Sequence, residues 1–225
     1  MPTSLTMRRF ARLAALLAWL TIGLRFYLSV RTGIEDGTGV AGGIVSFFSY
    51  FTVLTNILVA VGLTAGSLHP KDGRSQNPTV RFFQRPGVVS AIAVYITVVG
   101  IIYHLLLSSI WDPQGLAKFL NIMLHYVMPV LFVAYWWFGV PKQNLRWGQI
   151  LPWLSYPVGY LLYSLVLGAL RDQYPYPFAD VNALGYAQVL KNSVGVLLFF
   201  GLISIGYMAL GRWQSQRLSK RASNY

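Results

Sequence analysis

Six long apolar runs constrain this chain more than anything else in it. They cover roughly 10–30, 43–68, 87–109, 116–140, 149–170 and 192–210. Each is close to the roughly 20 residues that a helix needs to cross a bilayer. Charged residues make up only 11% of the 225, where a soluble domain carries about 25%. The sequence therefore predicts an all-α polytopic membrane protein, with one domain of six transmembrane helices over 1–225 and a basic tail at 211–225. No internal repeat or low-complexity linker argues for a second domain.

The connections agree with that division. Arg8 and Arg9 precede the first run, as in a signal peptide. Its apolar stretch is long, however, Arg25 interrupts it, and no A-x-A-like site follows, so an uncleaved first helix is expected. The polar stretch 69–86 contains three prolines, Trp111-Asp112-Pro113-Gln114-Gly115 reads as a turn, and Pro141 ends the fourth run.

Basic residues set the orientation. Arg8, Arg9 and Arg12 lie at the start; Lys71, Arg74, Arg81 and Arg85 follow the second run; Lys142 and Arg146 follow the fourth; Arg212, Arg217, Lys220 and Arg221 follow the sixth. The opposite side has Arg31, Lys118, Arg171 and Lys191. Excess Lys and Arg mark the cytoplasmic face, so both termini are expected inside. The acids Glu35, Asp36, Asp112, Asp172 and Asp180 fall mostly outside, against Asp72. The net charge of +12 is thereby assigned to topology and anionic lipid headgroups, not to nucleic acid. The chain has no cysteine, which excludes disulfides, thiolate catalysis and cysteine-ligated metal centres.

Polar groups inside the runs are costly, about 2.5–3.5 kcal/mol for Arg, Lys or Asp at mid-depth. At 1.5 Å per residue, Thr52 and His125 each fall about 13 Å from the outer ends of their helices, and His104 and Arg25 about 7–8 Å. Ser49, Thr52 and Asn56 have the spacing of one helical face, as do Lys118, Asn121 and His125. Pro129, four residues after His125, removes the N–H that would pair with the His125 carbonyl. Tyr156, Tyr160, Tyr163 and Ser164 form a similar stripe on the fifth helix. Such residues also have structural uses. Thr and Ser bond the preceding turn or pack between helices, Arg25 can snorkel outward, and Trp111, Trp136, Trp137, Trp147 and Trp153 fit an interfacial belt. Two polar stripes at one level suggest a buried polar cavity open to the outer leaflet.

Three segments resemble a family. They are Ser49-Tyr50-Phe51-Thr52-Val53-Leu54-Thr55-Asn56, Asn121-Ile122-Met123-Leu124-His125 with Pro129, and Tyr174-Pro175-Tyr176-Pro177-Phe178-Ala179-Asp180-Val181. They look like the bacterial predicted-six-transmembrane family, with a likeness covering nearly the whole chain. That family is distantly similar to the eukaryotic androgen-induced-gene and androgen-dependent TFPI-regulating membrane proteins, through a Thr in helix two and an Asn-x-x-x-His in helix four. Those eukaryotic proteins hydrolyse fatty acid esters of hydroxy fatty acids with an intramembrane Thr and His. By motif position Thr52 and His125 would take these roles. Three residues after the Thr, where at least one eukaryotic relative has an acid, this chain has Thr55. The resemblance also implies a bacterial inner membrane.

A threonine hydroxyl needs a base within hydrogen-bond reach, and His125 is of the right type. An acceptor must orient the imidazole. No Asp or Glu lies inside any run, so Asn121, Asn56 or Asp180 is expected to substitute. Asn56 or Lys118 is the expected donor to an oxyanion. The expected partners are membrane lipids and a fatty-acyl ester, with no cofactor, no metal and no nucleic acid; the oligomeric state is open. Two other readings stand beside this one. A non-enzymatic bundle could bind lipid or a partner, and His104 with His125 could ligate a b-type haem. A transporter is disfavoured by the lack of an inverted repeat.

Overall fold

The computed structural model describes residues 5–68 and 75–222, and within these the chain is helical with no strand. Lys71, Asp72 and Arg74, used above for orientation, lie outside the described residues. Helix α1 is Leu5–Glu35, α2 Gly39–Ser49, α3 Phe51–Ser67, α4 Pro78–Phe83 and α5 Pro86–Ile102. A π-helical turn at Tyr103–Leu107 ends α5; α6 is Gly115–Ile122, and a second π turn at Met123–Val127 joins it to α7, Met128–Gly139. Helix α8 is Ile150–Arg171 and α9 Val181–Ala222, interrupted at Gly185, where φ is 72.

Among the described residues, five stretches are long and apolar enough to cross a membrane: Leu5–Glu35, Pro86–Leu107, Gly115–Gly139, Trp147–Arg171 and Val181–Lys220. The second expected span, 43–68, is not one rod. Tyr50 is extended (φ −91, ψ 128), and α2 and α3 meet there at 75°. Counting that bent pair as one span raises the number to six. The break removes Ser49 from the face of Thr52 and Asn56, and its hydroxyl donates instead to Ser46 O. It also voids a straight-rod depth for Thr52. The sixth helix begins well before Asn192, and residues 211–222 continue it as helix.

The chain falls into two compact units, Met1–Leu145 with Gly211–Tyr225, and Arg146–Leu210. In the first, α1 buries Ala11, Ala14, Ala15, Ala18, Ile22, Ser29 and Gly33. This row of mostly small side chains lets helix backbones approach closely, the usual basis of packing in lipid. The approach is tightest against α2. A Cβ on Gly43 would lie 2.6 Å from Ser29 O and from Val30 Cα, and Ser29 Oγ donates to Gly43 O at 3.0 Å. Arg25 falls on the same inward row, between Ile22 and Ser29, and is half-buried. Trp136 and Trp153, expected in the belt, are buried, and Trp136 Nε1 donates to Ser90 Oγ at 2.8 Å. Trp111 and Trp147 are exposed.

The end of α7 is closed by Lys142, whose Nζ donates to the carbonyls of Trp136, Trp137 and Val140 at 2.8, 3.1 and 2.8 Å and lies over the Trp136 ring. An ammonium is well matched to the negative end of a helix. Burial pushes its pKa down to about 8. The tail docks beside it, with Gln214 Nε2 donating to Trp137 O and Arg212 to Leu145 O.

In the second unit, the segment Tyr174–Val181 folds back on α8. The Tyr174 ring occupies the space where a Gly168 Cβ would stand, Tyr176 stacks on Phe178 at 5.2 Å, and Asn182 Nδ2 donates to Asp172 Oδ1 at 2.8 Å.

Two substitutions test these contacts in detergent-solubilised protein. Gly43→Leu overfills the α1–α2 contact and is expected to cost about 1–3 kcal/mol, read as a lower Tm. Lys142→Met leaves helix-end carbonyls unpaired and is expected to cost about 1.5–3 kcal/mol, the range for hydrogen bonds to a charged group; an unchanged Tm would refute that capping role.

Candidate functional site

The break at Tyr50 gives α3 a new N-terminus in the interior of the first unit, where Val53 N and Leu54 N both pair with Tyr50 O. Thr52 is the second residue of α3, so its buried hydroxyl sits at the positive end of a 17-residue helix. That field favours negative charge developing nearby.

His125 arrives from the second π turn. The turn pairs Met128 N with Met123 O, five residues back. The next pair in that register would join residue 129 to Leu124 O, but Pro129 has no N–H. Asn56 takes its place, with Nδ2 donating to Leu124 O at 3.3 Å and to Thr52 O at 2.8 Å. The His125 carbonyl faces Gly100, where a Cβ would come within 3.0 Å of it. π turns of this kind are frequent at functional sites.

These two elements bring Thr52 Oγ1 to 3.3 Å from His125 Nε2. On the other side of the ring, Nδ1 is 2.9 Å from the backbone carbonyl of Asn121. A carbonyl only accepts, so Nδ1 carries the hydrogen and Nε2 presents its lone pair to the Thr52 hydroxyl. The hydrogen bonds thus assign the tautomer that a general base needs. A backbone carbonyl thus holds the ring's tautomer and orientation, one of the two tasks of the carboxylate in a Ser-His-Asp triad.

The other expected site residues fall differently. Asn56 is fully buried, and its Nδ2 is engaged by two carbonyls, while its Oδ1 has no hydrogen-bond partner among the described residues. Asn56 therefore ties α3 to the π turn, and its amide hydrogens are not aimed at an oxyanion. Lys118 is exposed and pairs with Asp112 at 3.5 Å. Asp180 Oδ1 accepts from Asn182 N and Ala183 N at 2.9 and 3.2 Å, capping the start of α9. His104 is exposed, with Nδ1 3.2 Å from the Tyr126 hydroxyl. The two membrane histidines thus have separate partners, and both ring nitrogens of His125 are engaged within the first unit. Arg25 is within electrostatic range of His125 and Tyr50. Thr55 is fully buried.

One residue at the centre was not singled out by sequence. Tyr103, buried in the first π turn, stacks on the His125 ring at 3.9 Å and 21° and is hydrogen-bonded to the Asn121 side chain. A tyrosine next to a histidine in an apolar run carries no periodic signal separating it from belt aromatics. Beside the site, Leu105, Leu106, Phe119, Ile122 and Tyr126 are exposed, an apolar border suited to acyl chains. Among the described residues no group of three or more His, Cys, Asp or Glu could hold a metal ion.

The tautomer is directly measurable. In protein labelled with ¹⁵N-histidine, His125 is expected as the Nδ1–H form, with Nε2 at an imine-like shift that moves on Thr52→Val. An Nε2–H form would contradict the geometry. Compared with family models, with curated proteins and with solved structures, the chain matches none.

Proposed function

We propose that this chain is a six-span membrane hydrolase of fatty-acyl esters, with Thr52 as nucleophile and His125 as its base. The observation that carries this reading is the Thr52–His125 pair at 3.3 Å, its hydroxyl buried and its half-buried imidazole anchored through Nδ1 by the Asn121 carbonyl. Nucleophile, base and orienting group are then all present, as covalent acyl transfer requires. The resemblance to the bacterial predicted-six-transmembrane family, and through it to Thr/His ester hydrolases of eukaryotic membranes, points to the same two residues. The exposed apolar side chains beside the site suit a substrate that arrives from lipid.

The reading includes both termini on the cytoplasmic face of a bacterial inner membrane. In its support, α1 and α7 meet where a Gly139 Cβ would touch the Met7 side chain. The 211–214 segment docks on the 137–145 segment. Those ends carry Arg8, Arg9, Arg12, Lys142 and Arg212, the basic excess expected of a cytoplasmic face.

The test uses the full chain in detergent micelles, a fluorophosphonate probe and p-nitrophenyl octanoate. Wild type is expected to be labelled and to turn over the ester, and Thr52→Ala to abolish both. His125→Ala is expected to lower turnover by about 10²–10⁴-fold, the usual contribution of a general base. Labelling that survives in both folded variants refutes the assignment. A wild type that neither labels nor turns over supports a bundle that binds lipid without chemistry.

A further inference from the structure

The hydrolase reading leaves an oxyanion donor to be found, because the Asn56 amide is held by two carbonyls and Lys118 is exposed beside Asp112. The Tyr103–Asn121 pair has donors to spare. Between them the phenol and the amide carry three hydrogens, and one hydrogen bond joins them. If Asn121 Nδ2 donates to the phenol oxygen, the phenol hydrogen has no acceptor among the described residues. That hydrogen is left unused, and Tyr103 is only 6% exposed, so bulk water does not readily satisfy it.

The position is as informative as the surplus. The Tyr103 ring lies nearly parallel to the imidazole that faces Thr52. Asn121 serves both partners, its backbone carbonyl anchoring His125 Nδ1 and its side chain holding the phenol. The base and the spare donor are therefore fixed to one turn of helix. Pre-aimed donors in a site closed to water are the usual means of stabilising a tetrahedral intermediate.

Resting on the hydrolase reading, we infer that the Tyr103–Asn121 pair donates the hydrogen bond that stabilises the oxyanion. Thr52 Oγ bonds to the ester carbonyl carbon as its proton passes to His125 Nε2. The carbonyl π pair moves onto oxygen, and that oxyanion accepts a hydrogen bond from the pair. The intermediate then collapses, breaking the bond to the alcohol oxygen, which takes the proton from Nε2 and leaves an acyl-Thr52. Water attacks that ester with His125 again as base, releasing the fatty acid and restoring the Thr52 hydroxyl.

The experiment is Tyr103→Phe, which keeps the ring stack and removes the phenol hydrogen and oxygen. The assay is p-nitrophenyl octanoate turnover, together with affinity for an octyl trifluoromethyl ketone, which mimics the tetrahedral adduct. The expected result is a fall of about 10²-fold in kcat, typical of one lost oxyanion donor, a KM within twofold, and a parallel loss of ketone affinity. Asn121→Leu, which keeps the backbone carbonyl, is expected to lower both as well. The double variant should be no worse than the weaker single, because groups acting as a unit are not additive. Asn121→Leu decides the matter if Tyr103→Phe does not fold. Folded variants with kcat and ketone affinity within threefold of wild type overturn the inference, as does a fall in kcat with ketone affinity unchanged. In both cases Thr52- and His125-dependent turnover of the wild type leaves the hydrolase reading standing. Absence of that turnover overturns both.

Discussion

Backbone groups in hydrocarbon have no water to pair with, and each one left unpaired costs several kcal/mol. The centre of this molecule is organised by that constraint. In the first unit the helical ladder is disturbed at Tyr50, Tyr103–Leu107 and Met123–Val127. Side chains take over at the disturbed turns. Asn56 serves Leu124 O, Ser108 Oγ serves His104 O, and His125 Nδ1 serves Asn121 O. Thr52, Tyr103 and His125 all lie at these disturbances. Polar chemistry in the apolar bundle is gathered where the backbone had already to be satisfied by side chains.

This arrangement gives the Thr–His pair a character of its own. A carboxylate behind a catalytic histidine fixes the tautomer and also stabilises the imidazolium that forms. The Asn121 carbonyl fixes the tautomer with a dipole in place of a full charge. It spares the protein a buried anion, which hydrocarbon penalises heavily. Thr52 lies at the positive end of α3, and the Tyr103–Asn121 pair lies against the His125 ring.

Much of the fold was legible because hydropathy reports transfer to lipid, which is nearly local in sequence. The runs that became α1, α5 with its π turn, α6 to α7, and α8 begin and end within a few residues of the observed helices. The bend at Tyr50 was not legible, since neither glycine nor proline marks it and the run stays largely apolar across it. The start of α9 was hidden by the polar residues Asn182, Gln188 and Lys191, which lower the hydropathy of a segment that is helical all the same. Trp136 and Trp153 were misplaced because aromatic character alone does not distinguish a belt residue from one held in a core.

The sequence by itself determined that this chain is built of membrane-length helices, that its basic residues concentrate in the segments between and beyond them, and that Thr52, Asn121 and His125 were among the polar residues to watch. These are properties of composition and spacing. Tertiary structure decided what those residues meet. Only the bend before Thr52 and the π register forced around Pro129 bring Oγ1 to Nε2, place Asn56 between two carbonyls, and set Tyr103 against the imidazole. The physical reason is that the Thr52–His125, Asn56–Leu124 and Tyr103–His125 contacts join different helical segments, through backbone distortions that no single helix reveals in its own pattern.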